Sequence, residues 1–411
     1  MTRFLRRSVG ARLILALACG WAATASWAPR TLLADEAATG DEGAGKGVVD
    51  NEALFKIPVG DDAAKIQEFM TQLAQTAPEA ETEKEQIAFS VRALNTLVEA
   101  GNRLLAAKPN DEQAEQAFAY QIEALQALVA LDQPDAAKEL EKVLATARSD
   151  KREPIMGRGW QNTIMFVTSR WPQLDAKQQQ AFLDEIVKKV EAGPQPIDLP
   201  IVQITATRLD GVDDKAVIGL LEKVIPLFEK SKDEGVQEKA QEANLPGMLR
   251  RLTLVGSPLE ISGTLLDGKK LDWESYRGKV VLVDFWATWC GPCRAEIPNI
   301  LEMYNAYHDK GFEVLGVSLD ATPEAAKKYV EENKLPWGSL FPENEDDREW
   351  NNPLVAYYGI TGIPTVMLVG QDGKVVTMDA RGERLGEELQ KLLGDPKPRE
   401  DSAAQEKAAA K

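Results

Sequence analysis

Histidine and cysteine are nearly missing from this chain: its 411 residues hold one His, at position 308, and three Cys, at positions 19, 290 and 293. A structural zinc site takes four such ligands, and once Cys19 is set aside as part of the leader described below, the usual zinc modules are excluded. No metal and no cofactor is expected. Positive charge is also short, with 48 Lys and Arg against 65 Asp and Glu and a formal charge of −17. Nucleic-acid affinity depends on Lys and Arg displacing counterions from phosphate, so a nucleic-acid partner is excluded. Long apolar runs are lacking too. The run from Leu13 to Ala23 falls well short of the roughly 20 residues a membrane-spanning helix needs, and no later stretch is apolar enough to cross.

That first run reads as the core of an export signal. Arg3, Arg6, Arg7 and Arg12 come before any acid, and the small residues Ala23-Thr24-Ala25 suit cleavage. The mature protein is therefore expected outside the cytoplasm, in the periplasm or cell envelope. Removing residues 1–25 leaves 65 acids against 44 bases, a charge of −21. Anchoring by the uncleaved segment stays open, as does lipidation of Cys19, for which Ala18 fits and Ala16 does not.

Residues 26–59 are expected to form a flexible acidic linker. Its stretch 35–50, "DEAATGDEGAGKGVVD", has too few large apolar side chains to order itself. Residues 60–250 read as an all-α domain. Ile87, Val91, Leu94 and Val98 recur at helical spacing, as do Val217, Leu221, Val224 and Phe228, while Phe182, Ile186 and Val190 recur at fours. Pro226 is expected to kink or end its helix. Breaks at Pro78, Pro109, Pro134, Pro154, Pro172 and Gly193-Pro194 cut the region into pieces of helix-hairpin size, suiting a stacked array or an irregular bundle. With no Cys or His and no polar constellation, this domain reads as a scaffold or as the docking site for a protein partner.

From Pro258 the periodicity changes. "PLEISGTLL" alternates, Asp267-Gly268 signals a hairpin turn, and "KVVLVDFWA" is a continuous apolar run of the kind found in strands buried on both faces. A helix is expected from the cysteines to about Lys310, a second buried strand at "FEVLGVSLD", and a helix from Thr322-Pro323 to Asn333. "TVMLVG", the turn "QDGK" and "VVTMD" give an antiparallel strand pair before a last helix from about Arg384 to Leu393. The sum is an α/β fold over 252–393: a mixed central sheet with helices on both faces, followed by a mobile tail over 394–411.

Cys290 and Cys293 are separated by two residues at the start of a helix. As a structural bridge they would close a tiny loop, which removes little entropy from the unfolded chain. As a redox pair the spacing serves chemistry. A thiolate at a helix N-terminus faces free backbone N–H groups and the positive end of the dipole, which lower its pKa. Cys290 is then the nucleophile that forms a mixed disulfide with substrate, and Cys293 resolves it. Gly291-Pro292 holds the sulfurs close with helix-compatible geometry.

The segment "VVLVDFWATWCGPCRAEIP" closely resembles the active-site region of thioredoxin-fold proteins. Residues 252–393 as a whole resemble the TlpA/ResA branch of that superfamily, about a third of the chain. The resemblance implies a thioredoxin-like fold and thiol–disulfide exchange. Residue by residue it implies that Trp289, Cys290, Gly291, Pro292 and Cys293 form the exchange site, with Trp289, Gly291 and Pro292 on the substrate side. It also implies that Asp284 is the buried acid that moves the Cys293 proton, as a desolvated carboxyl can. Glu296 matches an acid recurrent near that site, and Pro298 a proline that shapes the helix. "GIPT" matches the loop whose proline is cis and whose preceding residue, here Ile363 before Pro364, pairs with an extended substrate segment.

The expected function is an exported reductase of protein disulfides, such as cysteines awaiting haem attachment or metal-site thiols, recharged by a membrane thiol electron donor. CGPC is also the motif of strongly reducing thioredoxin, at about −270 mV. Two alternatives remain. One is an oxidant or isomerase of the same class; the other is a helical partner-binding protein whose dithiol only regulates it.

Overall fold

In a computed structural model of the protein, residues 52–77 and 82–397 are described. The expected export signal with Cys19, the linker up to residue 51, Pro78 and the tail beyond residue 397 lie outside them. The chain divides into two compact units, one ending at Gln173 and the other beginning at Leu174. Among the described residues no helix is long and apolar enough to cross a membrane.

The first unit is helical throughout: α1 (Ala63–Gln75), α2 (Glu83–Ala106), α3 (Asp111–Ala130), α4 (Ala136–Arg148) and α5 (Glu153–Ser169). Side chains fix several starts. Asp62 caps α1, and Thr82 with Glu85 and Asn110 with Gln113 form capping boxes that satisfy otherwise unbonded N–H groups at α2 and α3. Each helix packs on its predecessor, and α3 also touches α1 and α5, the pattern of stacked hairpins. The stripe expected on α2 is only partly buried. Ile87 is exposed, and the buried face instead runs through Ala93, Leu97, Ala100, Gly101 and Leu104. Small residues there let α3 approach: a Cβ on Gly101 would lie 2.5 Å from Gln121 Cγ.

The second unit begins with five more helices, α6 (Ala176–Glu191), α7 (Asp198–Leu209), α8 (Asp214–Glu229), α9 (Glu234–Ala243) and α10 (Leu245–Leu252). Helix α8 is their hub, touching α6, α7, α9 and α10. Of the kink or end expected at Pro226, the end does not occur: the helix runs on to Glu229. Proline removes a single backbone donor one turn before the end, while Val224 and Phe228 stay buried on either side.

The same unit continues as a five-stranded sheet with strands in the order β3-β2-β1-β4-β5. These are β1 (Val280–Trp286), β2 (Phe312–Ser318), β3 (Ser339–Leu340), β4 (Thr365–Val369) and β5 (Val375–Thr377). β1, β2 and β3 are parallel, whereas β4 runs antiparallel to β1 and β5 antiparallel to β4, so the sheet is mixed. Every residue of β1 is buried, which is why it reads as an unbroken apolar run. Its side chains alternate: Val280 and Leu282 join the core under α11 (Gly291–Tyr307) and α14 (Glu383–Leu393). Val281, Val283 and Phe285 join the core shared with Leu259, Ile261 and α13 (Pro353–Tyr357). Helix α12 (Pro323–Glu332) follows β2. The fold is thus thioredoxin-like behind a helical N-terminal region.

The hairpin turn expected at Asp267-Gly268 forms, with Gly268 at φ 86°. Across it Leu265 N donates to Lys269 O at 2.8 Å and Leu271 N to Gly263 O at 2.9 Å, and Thr264 bridges Lys270. The same segment also bonds the main sheet's edges. Leu266 N donates to Ser339 O at 2.9 Å, Phe341 N to Thr264 O at 2.9 Å and Leu259 N to Gly373 O at 3.0 Å.

Helix α10 locks onto α13. Asn244 Nδ2 donates to Ala356 O at 2.7 Å, and the Arg250 guanidinium lies 3.6 Å over the Tyr357 ring while donating to Tyr357 O. Gly359 makes the closest approach, with φ 57° and an open α face against Gly247: a Cβ there would sit 2.5 Å from Gly247 O and 2.7 Å from Met248 N. Replacing Gly359 with Ala is expected to cost about 2 kcal/mol or more, since both backbone conformation and contact resist it. Denaturant unfolding measures this, and a wild-type midpoint would show that the two segments are not closely packed.

Candidate active site

Cys290 is the N-cap of α11. Its Sγ accepts a hydrogen bond from Cys293 N–H at 3.2 Å, Pro292 sits in the first turn, and the two sulfurs are joined as a disulfide. Both cysteines are buried, Cys290 at 5% and Cys293 at 2% exposure, whereas Gly291 and Pro292 between them are exposed. The pair therefore sits where free N–H groups favour a thiolate, with a small open surface over it.

The approach to Cys290 is held from β2. Asp320, 2% exposed and just past the C-terminal end of β2, accepts from Thr288 N at 3.0 Å and from Thr288 Oγ1 at 2.5 Å. Ser318 Oγ donates to its other oxygen at 2.9 Å. A buried carboxylate with several donors is a firm anchor, and this one fixes the loop that carries Trp289. Trp289 itself is 52% exposed and faces Trp350, which is 44% exposed, with ring centroids 6.4 Å apart.

Asp284 lies on the β1 face that α11 covers, paired in register with Gly316 and Val366. Burial, with the Glu296 charge adding to it, pushes its carboxyl from an ordinary 3.8 up to about 7, against an opposing pull from Arg381. Glu296 is half-buried and fixed: Oε1 accepts from Gly382 N and from Asn299 Nδ2, both at 2.7 Å. The Ile363–Pro364 peptide bond is cis, as the sequence suggests, and Ile363 packs against the cluster that contains both cysteines. Pro364 is half-buried, and its carbonyl accepts from Arg381 Nη1 at 3.3 Å.

Every site residue expected from the sequence is thus drawn to the C-terminal end of β1, the start of α11 or the loop before β4. His308 is elsewhere, stacked on Tyr304 at the far end of α11. Among the described residues no cluster of His, Cys, Asp and Glu could hold a metal ion. Sequence reasoning missed Thr288, Asp320, Asn299, Trp350, Arg381 and Gly382. Asp320 carried a usable signal, an acid at the carboxyl end of a buried parallel strand, where sites in α/β sheets gather. Of the others, Trp350, Arg381 and Gly382 are remote in sequence, while Thr288 and Asn299 lie beside the cysteines but find their partners only in space.

A helix N-terminus carrying a disulfide across two intervening residues, a buried acid in the central strand and a cis-proline loop define a thioredoxin-type thiol–disulfide centre. Comparison with known proteins agrees. A family model described as Thioredoxin-like matches residues 278–375. The thiol-disulfide oxidoreductase ResA of Bacillus thuringiensis subsp. konkukian is 35% identical over 130 residues, 32% of this chain and 70% of the relative. ResA of Oceanobacillus iheyensis is 30% identical over 136 residues, covering 33% and 67%. Human nucleoredoxin is 36% identical over 143 residues, which cover 34% of this chain and 32% of nucleoredoxin. Among solved structures, the thioredoxin domain of a Bacteroides vulgatus thiol-disulfide oxidoreductase is 38% identical and covers 34% of this chain and 97% of its own, at a TM-score of 0.31. The chain belongs to the ResA-like thiol-disulfide oxidoreductases of the thioredoxin superfamily.

The buried acid has a measurable cost. Below pH 3.8 Asp284 is neutral in both folded and unfolded chains; between 3.8 and about 7 only the unfolded chain ionises, so stability falls as pH rises, and above about 7 the full penalty applies. Asp284→Asn is therefore expected to stabilise the protein at pH 8 by on the order of 4 kcal/mol and hardly at all at pH 4. Denaturant unfolding at both values decides, and an equal effect at each would remove desolvation as the cause.

Proposed function

We propose that this chain is an exported protein-disulfide reductase that works through Cys290 and Cys293. The observation that carries this reading is the Cys290–Cys293 disulfide at the N-terminus of α11 together with an acid in β1 whose carboxyl titrates near neutral pH. In the reduced protein, the Cys290 thiolate attacks one sulfur of a substrate disulfide. That bond breaks, a mixed disulfide forms, and the other substrate sulfur leaves as a thiolate and takes a proton from water. Cys293 passes its proton to Asp284 and attacks Cys290 Sγ, releasing the second substrate sulfur. Two electrons reach the substrate and the disulfide state results. A membrane thiol donor restores the dithiol by the reverse exchange.

Glu296 acts in this scheme through its charge on Asp284. Trp289, Gly291 and Pro292 meet the substrate, and the backbone at Ile363 and Pro364 pairs with its extended segment. Trp350 extends the aromatic rim formed by Trp289. The division of labour follows the sequence with one change: residues 1–25 direct export, 26–51 tether, 60–250 dock a protein partner, 252–393 carry the exchange chemistry and 394–411 form a tail, whereas 52–59, expected in the tether, pack through Leu54, Phe55 and Ile57 on the first unit's core. Resemblance to the TlpA/ResA branch makes cysteines awaiting haem attachment or metal-site thiols the substrates of choice.

Titration of the purified protein lacking residues 1–25 against glutathione and dithiothreitol tests the direction. A potential of about −270 mV or below supports the reductase, and one near −120 mV makes it an oxidant. Cys290→Ser is expected to abolish reduction of a disulfide-bonded peptide, and Cys293→Ser to accumulate the mixed disulfide. Trp350→Ala is expected to raise KM for that peptide by about tenfold and to leave reduction of a small-molecule disulfide unchanged, as loss of an aromatic anchor would. Equal effects on both substrates would remove Trp350 from the substrate rim.

A further inference from the structure

The turn Asp379-Ala380-Arg381-Gly382 between β5 and α14 lies far along the chain from the cysteines, yet its bonds converge on their surroundings. Gly382 N donates to Glu296 Oε1 at 2.7 Å, and Asn299 Nδ2 donates both to that oxygen at 2.7 Å and to Gly382 O at 3.1 Å. Arg381 Nη1 donates to the carbonyl of Pro364 at 3.3 Å. The turn is pinned from below by Ala380 and Leu385, both buried in the core under α11. A single short segment thus fastens the acid of the active-site helix on one side and the cis-proline loop on the other.

Asp284 is the group whose ionisation both sides influence. The charges that bear on it are Glu296 from α11, which opposes its ionisation, and Arg381 from the turn, which favours it; the cysteines lie on the same helix as Glu296. Desolvation is the largest influence and also opposes ionisation. Burial and a neighbouring acid both favour the protonated carboxyl, so a nearby cation makes a better base of a carboxylate at this position. A guanidinium suits the task, because it stays charged at every working pH and its planar fork bonds a carbonyl while doing so.

We propose that Arg381 is a positioning residue of the redox centre, holding the Pro364 carbonyl and setting its positive charge against Glu296 so that Asp284 can take and return the Cys293 proton. This rests on the reading of Asp284 as proton acceptor given above. Arg381 is exposed, so solvent screens its charge and limits its effect.

The test uses the full chain in the disulfide form, labelled with 13C at the Asp carboxyl carbons, and follows the Asp284 signal through a pH titration, with Asp284→Asn identifying the resonance. Arg381→Gln, which keeps an amide donor but loses the charge, is expected to raise the titration midpoint by on the order of half a pH unit, and Arg381→Lys to restore it. The pH profile of peptide-disulfide reduction by the reduced protein is expected to move the same way. Thermal midpoints of all variants verify folding. An unmoved midpoint in Arg381→Gln overturns the inference, and if Asp284→Asn still alters the rate profile, the proton-acceptor reading survives it. A midpoint that moves while the rate profiles of Arg381→Gln and Asp284→Asn both match the wild type overturns that reading and the inference with it.

Discussion

The exchange site is organised around a carboxyl taken out of water. Asp284 occupies a strand buried along its whole length, flanked in register by Gly316 and Val366, so no solvent is available to stabilise its charge. Such a group costs stability at every pH above its ordinary 3.8, where the unfolded chain ionises freely, and the rest of the sheet must outweigh that cost. What the cost supplies is a carboxyl that titrates at about 7 rather than near its ordinary 3.8. The surrounding hydrogen bonds fix the geometry on which this depends. Asp320 grips Thr288 ahead of Cys290, Gly382 and Asn299 grip Glu296 behind it, and Arg381 reaches the cis-proline loop.

The helical layer of the second unit bears on the same region. Helix α10 bonds the carbonyls of Ala356 and Tyr357 in α13, and Gly359 against Gly247 closes the gap to backbone contact. The chain then runs through buried Ile360 into the loop that holds Ile363 and Pro364. That loop is therefore entered from a segment fastened by the helices and secured by Arg381 after it. The arrangement suits a site where an extended substrate segment must meet a fixed backbone edge.

Much of this was legible in the sequence, for reasons that differ by element. β1 and β2 announced themselves as apolar runs because both of their faces are covered, and the cysteines and Pro292 marked the start of α11 through capping chemistry that is local. The stripe on α6 (Phe182, Ile186, Val190) is buried as expected, whereas that on α2 holds at Leu94 and Val98 but not at Ile87, because the buried face is shared with Ala93, Leu97, Ala100 and Gly101, where small residues let α3 approach. The hairpin turn at Asp267-Gly268 was legible because its signal is local, whereas the bonds its strands also make to the edges of a sheet built from segments far along the chain were not.

The sequence by itself determined the class of chemistry. Two cysteines at a helix start, an acid in the preceding strand and a proline before a later strand are each local features, and local features are what a linear pattern records. Tertiary structure alone decided which distant groups tune them. Asp320 reaches the loop before Cys290, Gly382 fixes Glu296, Arg381 meets both Pro364 and the field at Asp284, and Trp350 stands beside Trp289. Electrostatic and hydrogen-bond partners are set by distance in space, and the strand order β3-β2-β1-β4-β5 that creates those distances is not written in any single stretch of the chain.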